Sequence, residues 1–211
     1  MIAECRMRAA IPEVPKFKVQ RFLYNNLLPI LFPHRLHLSL EQRMTKLCPG
    51  TPFGLASADM TALQGLMQQI APGLSFSIFK TWLNAWTTSA RLQESSQHGC
   101  LAGCPAEPDD LRHYLRCPRL WTSLQAATEG LPDPCKQTAC GRLALDGSPN
   151  LSTLRRLATV CKFYHACRHN LQLRRQLLAL AADRDFLQLA ARCRSVLEAA
   201  ACATATGFPS S

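Results

Sequence analysis

The sequence predicts a mostly α-helical protein with a small central CCHC-type zinc element. Three observations carry this. Apolar residues recur at helical spacing, as in Leu63, Leu66, Met67 and Ile70, while no stretch alternates strongly enough to read as a strand. Four metal-ligand types, Cys100, Cys104, His113 and Cys117, fall in a C-x3-C-x8-H-x3-C spacing. Proline and glycine punctuate the chain between the periodic segments.

The central spacing suits a metal. Two thiolates on a Gly-containing turn can grip one side of a Zn²⁺ ion, and a His and a Cys four apart lie on one helical face and can supply the other. Pro108-Asp109-Asp110 is the expected helix start, and Pro118 is expected to disturb that helix just after the last ligand. All four tetrahedral positions would be filled by protein, which makes the site structural, with zinc the expected cofactor. The competing reading is that the chain has 11 cysteines in 211 residues and the spacing arises by chance.

Bulk properties narrow the partner class. Hydrophobic content of 47% permits a core, and a net charge of +10 points to an anionic partner such as nucleic acid. Residues 1–50 carry 8 Lys/Arg against 3 Asp/Glu and residues 151–211 carry 9 against 3, so positive charge flanks the metal-ligand region. Met1 to Ala10 has no secretory character, and no stretch reaches the ~20 apolar residues of a membrane helix. The expectation is a soluble intracellular protein, nuclear or cytoplasmic, with cysteines that stay reduced or bind metal.

In chain order, residues 1–16 read as an irregular lead-in. A helical region spans 17–129 and holds the metal element at 100–117. Within it, Phe17 to Leu28 and Leu36 to Cys48 are candidate helices, the second a basic strip closed by Pro49-Gly50. Ser57 or Asp59 can cap the Leu63/Met67 helix, which Ala71-Pro72-Gly73 ends. Ser75 opens a helix with Ile78, Phe79, Trp82, Leu83 and Trp86 on one side, a spacing that says core more than base-stacking platform. Leu120, Trp121 and Leu124 are expected to pack on that aromatic face.

Residues 130–150 are rich in Pro and Gly and read as a linker, residues 151–203 as C-terminal helices and 204–211 as a frayed tail. Leu151 to Ala182 is one long helix or a broken pair, with Leu154, Leu157, Cys161, Tyr164, Leu171 and Leu178 inward and Arg155, Arg156, Lys162, Arg168, Arg174 and Arg175 mostly outward. The last helix presents Phe186, Ala190, Cys193 and Leu197 on one face. Cys161, His165 and His169 share a face and would need a fourth ligand to form a second site.

The order FKTWLNAWTTSAR (Phe79 to Arg91), then the cysteine turn, then DDLRHYLRCPRLW (Asp109 to Trp121) resembles the zinc-binding region downstream of the reverse transcriptase in non-LTR (LINE-like) retrotransposon polyproteins. The match covers about Ser75 to Leu124. It implies that Cys100, Cys104, His113 and Cys117 are the ligands. The family's polymerase is missing, because no paired-aspartate motif lies in a strand, so the chain reads as a C-terminal remnant and not an enzyme. Some such elements carry an endonuclease downstream, but Pro132-Asp133, Lys136 and Asp146 sit among turn residues with no strands to hold them.

The expected function is nucleic-acid binding, RNA or DNA, through Arg91, Arg112, Arg116 and Arg119. The last three recur at i, i+4 and i+7, as one basic stripe on the ligand helix. The alternatives are a zinc-stabilised protein-interaction module and a decayed element without selected activity.

Overall fold

The computed structural model describes residues 35–47, 49, 57–94, 99–127, 138–145 and 150–207. The helix expected at 17–28 and the endonuclease-like Asp133, Lys136 and Asp146 lie outside them. The protein is mostly helical. Its elements are α1 (Arg35–Leu47), α2 (Ser57–Gln69), α3 (Pro72–Trp82), α4 (Ser89–Leu92), α5 (Leu111–Tyr114), α6 (Pro118–Ala127), α7 (Ala139–Arg142), α8 (Leu151–His169), α9 (Leu171–Ala182) and α10 (Phe186–Ala205). Among the described residues the nearest thing to a strand is an isolated antiparallel bridge between Gly99 and Pro108.

Short polar residues set the helix boundaries. Asn150 starts α8, its side-chain oxygen accepting from the Thr153 N–H at 2.9 Å. Asn170 leaves helical geometry (φ −93°, ψ 98°) and caps α9 by accepting from the Leu173 N–H at 3.0 Å. That local competition for backbone donors splits Leu151 to Ala182 into a pair of helices. Proline sets two others. α3 begins at Pro72, three residues before Ser75, because proline is preorganised for the first helical position, where no N–H is needed.

α8 is the central helix. It packs on α10, α3, α9 and α7, while α6 lies against α10. The buried apolar side chains form one cluster running from Leu40 in α1 to Ala200 in α10. Trp82 and Trp86 are each 1% exposed, so these aromatics are core and not a platform for bases. Trp86 stacks on Tyr164 of α8 with centroids 4.5 Å apart and lies 5.7 Å from Tyr114. It does so from outside α3, which ends at Trp82. Asn84 turns into left-handed geometry (φ 49°), Leu83 is left part-exposed, and the extended segment that follows carries Trp86 back into the core.

Several inward and outward assignments change. Arg156 is buried, whereas Leu171 is 57% exposed at the start of α9, where the helix turns away from α8. On α10 the buried row is Leu189, Cys193, Leu197 and Ala200; Phe186 is largely exposed and Ala190 gives way to Leu189. The expected tail is anchored at its start. Helix α10 continues through Thr204, which is buried and pairs its hydroxyl with that of Thr159 at 3.0 Å, and the Gly207 carbonyl accepts from the Ala71 N–H at 2.8 Å. Within 130–150, the described residues 138–145 form α7 and a following turn with Cys140, Leu143 and Leu145 buried. The Leu143 carbonyl accepts the Trp82 indole N–H at 2.8 Å. Among the described residues, no helix is long and apolar enough to cross a membrane.

Replacing Trp86 with Ala is expected to destabilise the fold by about 3–5 kcal/mol, the usual range for emptying a large aromatic site. A fall in the chemical-denaturation midpoint would report it, and an unchanged midpoint would remove Trp86 from the core.

Candidate metal centre

The four ligand types converge. Among the described residues, Cys100, Cys104, His113 and Cys117 are the one group of three or more such donors close enough to hold an ion, with their donor atoms all within 4.8 Å of one another. The Sγ of Cys117 lies 3.8 Å from that of Cys100 and 3.5 Å from that of Cys104.

Each ligand is placed by local chemistry. Cys100 precedes a tight turn in which the Gly103 N–H reaches back to the Cys100 carbonyl at 2.8 Å. Gly103 has φ +77°, and a Cβ there would stand 2.2 Å from Leu189 of α10, so the turn needs glycine twice over. The bridge from Gly99 to Pro108 closes the loop, with the Cys100 N–H bonded to the Glu107 carbonyl at 2.9 Å.

His113 and Cys117 do not share one helix. Helix α5 stops at Tyr114, and Pro118 opens α6 rather than disturbing α5. Cys117 therefore sits just ahead of α6, where its sulfur accepts the Leu120 N–H at 3.4 Å. A helix N-terminus favours a thiolate at that position.

The orientation of His113 is decided by Glu107. Its Nδ1 lies 3.1 Å from the Glu107 carboxylate, and its Nε2 is buried without a hydrogen-bond partner. This is the arrangement in which one ring nitrogen is held by a carboxylate and the other is offered to a metal. Sequence reasoning passed over Glu107, although an acidic residue six positions before a ligand histidine was there to be weighed.

The electrostatics of the set favour thiolates at Cys100 and Cys104. Hydrogen bonding from Cys117 draws the Cys100 thiol down to about 4 against the opposing effect of burial, and likewise draws Cys104 down to about 7. Cys117, hydrogen-bonded to both, is pushed far above the ordinary thiol range. Burial pulls the His113 imidazole down, but the neighbouring Cys100 and Cys104 thiols outweigh that and raise it to about 9. A cation could replace the protons on Cys117 and His113.

The arginines do not form one stripe, because the break at Pro118 divides them. Arg112 lies in α5, Arg116 in the connecting turn and Arg119 in the first turn of α6. Arg91, Arg112 and Arg116 are exposed. Arg119 is half-buried, donating to the Gly103 carbonyl at 2.7 Å with its guanidinium 3.8 Å over the Phe186 ring. Among the described residues, Cys161, His165 and His169 belong to no group able to hold an ion; the two imidazoles stack with ring centroids 5.4 Å apart.

Two outcomes are expected. Glu107→Ala should weaken metal affinity by about tenfold, read by competition with a chromophoric chelator; equal affinity would leave the carboxylate without a role. Between pH 7 and 9, ion uptake should release about two protons, those of Cys117 and His113, and about three below pH 7, where Cys104 is also protonated. Calorimetry in buffers of different ionisation enthalpy counts them, and affinity should fall as pH falls. Compared with protein-family models, curated proteins and solved structures, the chain matches none.

Proposed function

We propose that this chain is a zinc-stabilised nucleic-acid-binding element of the kind found downstream of the reverse transcriptase in non-LTR retrotransposons. The observation that carries the proposal is the convergence of three cysteines and a histidine with exposed arginines around them. Zinc is supported by the donor types and by their spacing. A tetrahedral ion with Zn–S bonds of about 2.3 Å holds its sulfurs about 3.8 Å apart, close to the 3.5 and 3.8 Å between the thiols. Four protein ligands leave no position for a reacting water, so in this reading the ion is structural rather than catalytic.

Arg91, Arg112 and Arg116 would meet backbone phosphates, which give affinity without sequence preference. Arg119 instead braces the cysteine turn against α10. The resemblance assigns the retrotransposon origin, and the +10 net charge supports a polyanionic partner. A second reading, a protein-interaction module, is favoured by the exposed Leu171 and Leu187 around α9 and α10. The two readings separate on Arg91, Arg112 and Arg116, whose joint replacement removes only nucleic-acid binding.

Purified protein should contain about one zinc per chain, and the Cys104→Ser, His113→Ala variant none. The zinc-loaded protein should lose at least about twentyfold in affinity for a single-stranded oligonucleotide between roughly 50 and 200 mM salt, the loss that the three arginine contacts alone require. Affinity independent of salt would refute this mode of binding.

A further inference from the structure

We infer that the cleft between α1 and the start of α5 is a phosphate-binding site that seats the backbone of single-stranded nucleic acid. The inference rests on the nucleic-acid reading above and gives it a location that the sequence did not. The cleft has a volume of about 360 Å³ and is lined by Arg43, Lys46 and Arg112, with Gln42 and Asn84 beside them. Among the described residues no carboxylate lines it, so three cationic residues border a shared concavity with no acidic residue beside them there.

The fold prepares these groups. Leu47, buried at the end of α1, fixes that helix to the core and forms part of the cleft. The Arg43 guanidinium donates to the Leu83 carbonyl at 2.6 Å, which pins one arm of a five-donor fork. Asn84 adopts φ 49°, a geometry asparagine tolerates, as the chain leaves α3. Its backbone N–H donates to the Thr81 carbonyl at 3.0 Å, and the residue borders the cleft. Arg112 comes from the metal-bearing segment, one residue before His113, so the metal element sets one wall.

Guanidinium, ammonium and amide donors around one concavity match the tetrahedral oxygens of a phosphate. A single strand is the ligand that fits. It can bend into a cleft, whereas duplex DNA is stiff over about 50 nm and presents a convex backbone.

The test uses the full zinc-loaded chain and a fluorescent oligothymidylate of about a dozen nucleotides, followed by anisotropy across a salt series. The cleft variant is Arg43→Gln with Lys46→Gln. The control, Arg175→Gln with Arg194→Gln, removes equal charge from exposed positions on α9 and α10. Losing two phosphate contacts should lower the slope of log affinity against log salt by about 1.4 in the cleft variant and leave the control near wild type. Zinc content and circular dichroism confirm folding, and Lys46→Gln alone, without the Arg43 bond to Leu83, gives about half the change. Equal losses in both double variants would overturn the cleft while leaving the nucleic-acid reading intact. No binding by the wild type at low salt would overturn that reading and the cleft with it. Competition by inorganic phosphate as strong as by the oligonucleotide, per phosphate, would make the cleft a small-anion site and overturn the inference.

Discussion

A buried carboxylate, that of Asp109, joins the segment with the candidate metal ligands to the rest of the protein. One oxygen accepts from the Ser89 N–H at 2.8 Å and the Tyr164 hydroxyl at 3.4 Å, and the other accepts from the Tyr114 hydroxyl at 2.9 Å. The Tyr114 oxygen in turn accepts the Leu101 N–H at 3.1 Å. Four pieces of chain, α4, the cysteine turn, α5 and α8, thus converge on one side chain. Burial raises the Asp109 carboxyl above its ordinary range, with the Ser89 and Tyr114 hydrogen bonds acting against it. A buried acid is tolerable because its oxygens are met by donors, and removing any donor exposes the penalty.

The metal element is therefore held from two directions. Inside, the aromatic group of Trp86, Tyr114 and Tyr164 packs beneath it. Outside, Arg119 reaches back to the Gly103 carbonyl and covers Phe186, and Leu189 occupies the space that a side chain at position 103 would need. A bound ion would add a cross-link to a loop already docked at both ends, stiffening the segment that carries Arg112.

Charge is sorted by depth. Asp109 and the thiols occupy the interior, where hydrogen bonds and an ion can neutralise them. Arg43, Lys46, Arg91, Arg112 and Arg116 stay at the surface, where water screens them. Glu107 stands at the boundary, part-exposed and turned to His113, where it orients a ligand without charging the core.

The sequence by itself determined the helical class, the four metal-ligand types and the burial of Trp82 on a helical face, because these follow from periodicity and from side-chain chemistry at short spacing; Trp86 is buried too, but from beyond the end of that helix. It also contained the break at Pro118, although a His and a Cys four apart suggested a continuous helix; the proline preference for a first helical turn overrode that spacing. Only the tertiary structure decided that Asp109 is a hub rather than half of a cap, that Arg119 is a brace while Arg112 faces a cleft, and that residues 138–145 are core. Each of these depends on partners dozens of positions away, such as Leu143 for Trp82 and Tyr164 for Asp109. Local pattern can say that a residue is polar or apolar; which neighbour satisfies it is fixed only when distant segments close around it.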